Sequence, residues 1–163
     1  MKNLRSPQFG AILFRASEVI AKQGGDVFNT LGFAIPASRI SIVLAINKNG
    51  PCSSTSLSEH IGISRQLIES RLKAGVKDGT FITMVDKKDT RKRIYDFAEN
   101  IKEEVQRIIE IMINFETVYE ELWKEMGVDL ESSLLLMEKA LKKYSLEERL
   151  LNEFPKYNQE VRS

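Results

Sequence analysis

A long apolar stripe in the last third of the chain constrains the fold more than any other feature. Eight large apolar residues alternate steps of four and three without interruption: Ile101, Val105, Ile108, Met112, Phe115, Tyr119, Leu122 and Met126. This spacing continues over three heptads and is typical of a helix packed lengthwise against other helices. One small domain cannot cover such a stripe alone, so the pattern predicts a helical dimerisation region.

Other segments of the chain also have the spacing and caps of helices. The first predicted helix follows Ser6-Pro7 and includes Ile12, and Gly24-Gly25 is expected to weaken or end it. Pro36 can open a second helix, which the turn at residues 49–51 ends. After Gly127, Asp129 can cap one further helix, and a capping box of Ser145 and Glu148 predicts a last one.

Residues 53–79 have the outline of two short helices joined by a tight turn. Ser53 or Ser54 can cap the first helix, Gly62 supplies the turn, and Ser64 can cap the second helix. The second helix is expected to bury Ile68, Leu72 and Val76 on one face and to end at Gly79. This arrangement predicts a helix-turn-helix.

Two runs rich in β-branched and aromatic residues follow, at residues 81–85 and 93–97. The polar loop between them, residues 86–92, has a length suited to a hairpin. A hairpin directly after a helix-turn-helix is a wing. The fold is therefore expected to be mainly α with a small β-hairpin wing, forming a winged helix-turn-helix with a helical dimerisation region from both termini.

Charge is distributed unevenly along the chain. Residues 1–52 have six basic and two acidic side chains, a net charge of +4, and residues 53–98 have nine and six, a net charge of +3. Residues 99–163 have nine basic and fifteen acidic side chains, a net charge of −6. A basic N-terminal part and an acidic C-terminal part are typical of a chain that binds a polyanion through one part only. Ordinary scatter of surface charge also produces such differences.

Several classes of protein have no support in the sequence. The single cysteine, Cys52, excludes an intramolecular disulfide framework, and the single histidine, His60, leaves no Cys/His zinc cluster. We find no nucleophile elbow and no phosphate loop, so we expect neither catalysis nor a cofactor. No apolar run is long enough to span a bilayer and the N-terminus does not read as a signal peptide, so we expect a cytoplasmic protein without membrane contact.

The segment Leu57-Ser58-Glu59-His60-Ile61-Gly62-Ile63-Ser64-Arg65-Gln66, followed by Gly79, resembles the multiple-antibiotic-resistance regulator (MarR) family of transcription factors. The loop Asp86-Lys87-Lys88-Asp89-Thr90-Arg91 is similar to the wing signature of that family, Asp-x-x-Asp-x-Arg. The layout of helices before and after these motifs agrees from about residue 7 to about residue 143.

The resemblance implies a homodimeric regulator, with double-stranded DNA carrying a palindromic operator as its partner and repression as its expected mode. On the recognition helix the DNA-contacting residues would be Ser64, Arg65, Gln66, Glu69, Ser70 and Lys73. On the wing they would be Lys87, Lys88, Asp89, Arg91, Lys92 and Arg93, with Arg91 entering the minor groove while Asp89 orients it. The expected dimerisation residues are Ile12, Ile101, Val105, Ile108, Met112, Phe115, Tyr119 and Leu122.

The resulting division of the chain has four segments. Residues 1–34 form an N-terminal helix of the dimerisation region, and residues 35–98 form the DNA-binding domain. Residues 99–144 complete the dimerisation region, and residues 145–163 form an extension.

Two further hypotheses accompany the expected DNA binding. The alternative is a winged helix that has lost DNA binding and contacts another protein. Glu69, Gly75 and the acidic segment 99–163 favour this alternative. A small-molecule effector is a possible partner, for which Phe115, Tyr119 and Trp123 could line a pocket, although their heptad spacing also fits ordinary core packing.

Overall fold

The computed structural model describes residues 8–86 and 89–158 and shows helices around a small sheet. The helices are α1 (Phe9–Thr30), α2 (Ile40–Asn49), α3 (Ser54–Ile61), α4 (Arg65–Lys77), α5 (Lys102–Met126), α6 (Leu130–Lys143) and α7 (Leu146–Glu153). The strands are β1 (Cys52–Ser53), β2 (Phe81–Val85) and β3 (Arg93–Phe97). Short 3-10 turns occupy Ala37–Arg39, Glu99–Ile101 and Pro155–Asn158. The expected mainly α fold with a hairpin wing is confirmed.

The chain divides into two compact units, Met1–Glu110 and Ile111–Ser163. The first unit contains α1 to α4, the sheet and the beginning of α5. The second contains the rest of α5 with α6 and α7. The elements of the expected DNA-binding segment, residues 35–98, therefore lie in the first unit together with α1 and the start of α5.

The helix-turn-helix forms through the caps that the sequence contains. The Ser53 hydroxyl accepts a hydrogen bond from the Ser56 N–H at 3.1 Å and begins α3. Gly62 turns the chain with a φ of 78°, and the Ser64 hydroxyl accepts from the Leu67 N–H at 3.3 Å to begin α4. Because these caps satisfy N–H groups that a helix start leaves unpaired, the local sequence specifies both helix starts.

The sheet has one strand more than expected. β2 and β3 form the antiparallel hairpin, with Phe81 opposite Phe97 and Val85 opposite Arg93. β1 pairs antiparallel with the other edge of β3, which gives the order β1-β3-β2. Two residues are too few to show an alternating pattern, so the sequence did not reveal β1.

One residue on α4 corrects the predicted buried face. Ile68 and Leu72 are fully buried, but Val76 is 39% exposed and Gly75 is buried instead. The Phe81 ring occupies the space beside Gly75, where an added Cβ would collide with the ring. The core contact at this turn is therefore made by an aromatic ring from β2, and α4 continues to Lys77 through the glycine.

Helix α1 continues through its two adjacent glycines. It runs without a break from Phe9 to Thr30, so Gly24-Gly25 lies inside the helix and does not end it. A helical glycine costs about 1 kcal/mol relative to alanine but keeps its backbone hydrogen bond, so two of them do not stop a helix of this length. The predicted start at Ser6-Pro7 lies outside the described residues.

The apolar stripe of α5 is covered unevenly. Ile101 is half-buried in the 3-10 turn before the helix, and Val105 and Ile108 are buried within the chain. Val105 and Ile108 were expected to contact a partner chain, but almost none of their side-chain surface is accessible to one. Beyond them, Met112, Phe115 and Tyr119 are half-buried, and Leu122 and Met126 are exposed.

The caps of the second unit agree with the sequence. The Asp129 carboxylate accepts from the Ser132 N–H at 2.9 Å and begins α6. The Ser145 hydroxyl accepts from the Glu148 N–H at 3.1 Å, while the Glu148 carboxylate accepts from the Ser145 N–H at 2.7 Å. This confirms the capping box at the start of α7.

Candidate nucleic-acid interface

One face of α4 is available to a ligand. Its buried residues occupy one side of the helix, and the residues expected to contact DNA lie elsewhere on its surface. Arg65, Gln66, Ser70 and Lys73 are exposed, as is the capping residue Ser64, and Glu69 is half-buried. The first turn of α4 contains no acidic residue, so the positive end of the helix dipole is not neutralised within that turn.

Glu69 contacts two neighbours on this face. Its Oε1 accepts a hydrogen bond from the Arg65 Nε at 2.7 Å and another from the Ser54 Oγ at 3.2 Å. The hydrogen bond from Arg65, followed by that from Ser54, holds the pKa of the Glu69 carboxyl below its usual value. The group is therefore a carboxylate at neutral pH, bound to the cation beside it.

The Asp89 carboxylate makes several contacts at the wing tip. The Asp89 Oδ1 accepts hydrogen bonds from the backbone N–H and from the Nε of Arg91, both at 3.2 Å. The Lys92 Nζ lies 3.9 Å from the other Asp89 oxygen, and the Lys92 carbonyl accepts from the Asp86 N–H at 3.0 Å. The contact between Asp89 and Arg91 that the resemblance implies is thus present. Arg91, Lys92 and Arg93 are exposed, and Lys87 and Lys88 lie outside the described residues.

An open polar groove of about 570 Å³ lies where α3, α4 and the wing meet. Arg65 and Glu69 line it from α4, and Arg91, Lys92 and Arg93 line it from the wing side. The structure thus brings two of the predicted helix residues and three of the predicted wing residues to one concave surface. Gln66, Ser70 and Lys73 are exposed on α4 but do not line the groove.

Part of this groove was not predicted from the sequence. Ser53, Ser54, Thr55 and Ser56, together with Glu59 and Tyr95, also line it. The first four residues form the start of α3, and a helix start with hydroxyl side chains is suited to contacting an anion. The run of four hydroxyl residues was the available signal, but it was interpreted only as a helix cap.

The buried Arg39 guanidinium stabilises the position of the C-terminal end of α4. Arg39 is buried, and its Nη1 lies 2.6 Å from the Asp78 Oδ2 and donates to the Thr80 Oγ1 at 3.1 Å. Burial raises the pKa of Asp78, but hydrogen bonds from Thr80 and Arg39 outweigh it, and the pKa is lowered. Arg39 therefore joins the turn before α2 to the end of α4, and it does not add to the basic surface.

Cys52 and His60 lie on different elements, β1 and α3. Cys52 is buried in β1, where burial, followed by the nearby Asp96 carboxylate, raises the pKa of its thiol. His60 is exposed on α3. Across residues 8–86 and 89–158, no group of three or more His, Cys, Asp or Glu side chains could hold a metal ion.

The second unit has an aromatic row on α5. The rings of Phe115 and Tyr119 lie 6.1 Å apart, and those of Tyr119 and Trp123 stack at 5.6 Å. All three side chains are half-buried.

No helix in the described part of the chain is long and apolar enough to cross a membrane.

Comparison with known proteins identifies the architecture. No protein-family profile and no curated protein sequence matches the chain. Among solved structures, the transcriptional regulator MOSR of M. tuberculosis in complex with DNA matches with a TM-score of 0.67 at 15% identity, over 85% of this chain and 98% of MOSR. The transcriptional repressor CouR, bound to a 23-mer DNA duplex, matches with a TM-score of 0.62 at 18% identity, over 84% of this chain and 94% of CouR.

The PcaV transcriptional regulator from Streptomyces coelicolor, in complex with its natural ligand, matches with a TM-score of 0.61 at 12% identity. The match covers 84% of this chain and 93% of PcaV. These similar structures are transcriptional regulators rather than enzymes, and at such identities the likeness establishes the fold. The chain therefore has the winged helix-turn-helix fold of MarR-type transcriptional regulators.

Proposed function

We propose that this protein is a dimeric, sequence-specific DNA-binding transcriptional regulator. The observation that carries the proposal is the common groove, in which the start of α4, the hydroxyl-rich start of α3 and the wing cations face one space. Cations and helix N-termini both attract phosphate, so a duplex can bind them together. The DNA-bound neighbours MOSR and CouR have the same architecture.

In this proposal α4 lies in the major groove. Arg65 and Gln66 are at its N-terminal end, which is the part of a recognition helix that contacts base edges. Arginine suits guanine and glutamine suits adenine, because each can form two hydrogen bonds with that base. Ser64, Ser70 and Lys73 contact the backbone or neighbouring bases.

The wing contacts the flanking minor groove in the same proposal. Arg91 is at the exposed tip, and its contact with Asp89 limits the directions in which its guanidinium points. A narrow minor groove has a strong negative potential that attracts arginine. Lys92 and Arg93 are then placed to contact phosphates, as we propose for Lys87 and Lys88.

Dimerisation is supported by apolar side chains that the single chain leaves exposed. On α1 these include Ile12 and Phe14, and on α5 they include Leu122. We propose that a second copy covers them, with Met112, Phe115 and Tyr119 in the same interface and half-buried Ile101 at its edge. A twofold dimer presents two recognition helices, so its operator is an imperfect palindrome with half-site centres about 10 base pairs apart.

We further propose that the dimer represses transcription and that a small molecule relieves it. CouR is a repressor and PcaV binds a natural ligand, which supports both parts by fold analogy. A ligand wedged near Phe115 or Tyr119 would favour one spacing of the two recognition helices over another. Only such differential binding shifts an equilibrium between conformations.

DNA binding is tested by fluorescence anisotropy with sheared duplex DNA at low and moderate salt. We expect affinity to fall with a log–log slope of about −0.9 for each phosphate neutralised. Absence of binding at low salt would contradict the proposal and favour the protein-interacting winged helix. On a bound duplex, footprinting should show twofold symmetric protection.

Arg91→Ala examines the wing specifically. We expect DNA affinity to fall at least about tenfold, equal to ~1.4 kcal/mol, with the melting temperature nearly unchanged because the side chain is at an exposed tip. Thr90→Ala, in the same exposed turn, is the control and should leave affinity unchanged. Intact binding by Arg91→Ala would show that the wing does not contact DNA.

A further inference from the structure

The carboxylate of Glu69 lies between the recognition helix and α3. It accepts from the Arg65 Nε within α4 and from the Ser54 Oγ at the beginning of α3. Arg65 is the first residue of α4, and Glu69 is one turn further along the same helix. A negative group at this place would ordinarily weaken the attraction between the groove and phosphate.

Helix stability does not explain this ion pair. The side chains of Arg65 and Glu69 are 63% and 36% exposed, and pairs in water contribute little to folding. The order along the helix is also the weaker one, because the cation lies at the positive end of the dipole and the carboxylate follows it. Its small contribution to folding leaves the pair free to serve another role.

The contact constrains the arginine without using its terminal edge. A guanidinium has five N–H donors in a planar fork, and the bond to Glu69 uses the one on Nε. The edge formed by Nη1 and Nη2 points away from that bond. It is the edge that can donate in parallel to the O6 and N7 of guanine.

We propose that Glu69 is a positioning residue, which holds the Arg65 guanidinium so that its Nη edge reads a guanine in each half-site. This inference rests on the proposed function, because it requires α4 to lie in the major groove. Ser54 completes the arrangement by binding the same carboxylate oxygen from α3. Glu69 then contributes to base specificity without contacting DNA itself.

The experiment first selects preferred sequences from a pool of random duplex DNA with the full chain. Affinities are then measured for the selected duplex and for duplexes in which each guanine of a half-site is replaced. The proteins compared are the wild type, Arg65→Ala, Glu69→Ala and the double variant. Glu59→Ala is the matched control, because Glu59 is an exposed carboxylate that lines the same groove.

Arg65→Ala is expected to abolish the preference for one guanine, and Glu69→Ala to reduce the same preference at least about fivefold, within the range of one bidentate contact. The double variant should discriminate no worse than Arg65→Ala alone, because the two residues act as a unit. Glu59→Ala should change affinity for all sequences equally. Melting temperatures should stay close to the wild-type value, since the Arg65 side chain is exposed and that of Glu69 is partly exposed.

Two results would overturn the inference while leaving DNA binding intact. One is a Glu69→Ala variant that binds all duplexes more tightly with unchanged base preference, which would mean that the carboxylate only repels phosphate. The other is an Arg65→Ala variant with unchanged base preference, which would mean that Arg65 does not contact a guanine. Failure of the wild type to bind any duplex would instead contradict the proposed function, and the inference with it.

Discussion

The two compact units contain similar amphipathic helices, but they cover their apolar side chains to different extents. Among the described residues of the first unit, fifteen apolar residues are buried, between Phe28 and Ile108. Among the described side chains of the second unit, residues 111–157, none is buried. Large residues such as Leu135, Leu136 and Leu146 are exposed there instead.

This difference shows that an apolar stripe predicts that its side chains are buried, but does not predict which part of the molecule, or which second molecule, covers them. In the first unit, α2, α3, α4 and the sheet supply enough surface to enclose one another. In the second unit, part of α5 with α6 and α7 does not enclose a core in the single chain. Exposed apolar surface of this extent is typical of an interface, so the comparison favours a second copy as the missing cover.

The largest expected effect contrasts a leucine from each unit. Leu72 is fully buried in α4, so Leu72→Ala should lower the free energy of unfolding by about 2–5 kcal/mol. Leu136 is 66% exposed on α6, and Leu136→Ala should change the dissociated chain by less than about 0.5 kcal/mol. Urea unfolding at several protein concentrations measures both. Equal losses at high dilution would contradict the contrast.

A charge in the proposed interface should separate the two copies. Ile12 is exposed on α1, and Ile12→Glu would bury an unpaired carboxylate twice in a twofold dimer. We expect the dissociation constant of the dimer to rise about 100-fold, or ~2.7 kcal/mol, by sedimentation equilibrium. Gln23→Glu adds the same charge to an exposed polar site of α1 and should have little effect. A monomeric wild type at micromolar concentration would remove the basis for a dimer.

Two helical glycines test how closely the first unit is packed. Gly75→Ala would place a methyl group against the Phe81 ring, and overpacking of this kind costs about 1–3 kcal/mol. Gly24 of α1 has open space around its missing side chain. Gly24→Ala should therefore stabilise the fold by about 0.5–1 kcal/mol. Calorimetric melting of both variants gives the comparison, which fails if Gly75→Ala is neutral.

The smallest effect concerns the contact of Asp78 with the buried Arg39. Asp78→Asn should lower the free energy of unfolding at neutral pH by about 1 kcal/mol, a modest value because the carboxylate is partly exposed. Since the pKa of Asp78 is lower in the folded chain, its contribution is present above the unfolded pKa and is lost as pH falls through the folded one.

The stabilities of the wild type and Asp78→Asn should therefore begin to converge below about pH 4 and meet only below the lower pKa of the folded chain. Urea titrations from neutral to acidic pH measure this, and Asp26→Asn controls for net charge because Asp26 is exposed on α1. A difference between the proteins that stays constant with pH would show that charge on Asp78 is not what holds Arg39.

Local chemistry made much of the fold predictable. Ser53, Ser64, Asp129 and the capping box at Ser145 determine where helices begin, because a cap needs only residues within one turn. The hairpin followed from its β-branched and aromatic runs. The wing motif likewise placed Asp89 two residues before Arg91, close enough for the contact that forms.

Contacts between distant segments were decided by the tertiary structure. The sequence could not show that Phe81 fills the space at Gly75, that β1 pairs with β3, or that Arg39 is buried against Asp78. Nor could it show that the Ser54 hydroxyl reaches Glu69 across the turn between two helices. Periodicity records which residues share a face of one helix. Which surface covers that face depends on elements far apart in the chain, and their arrangement is settled only when they pack together.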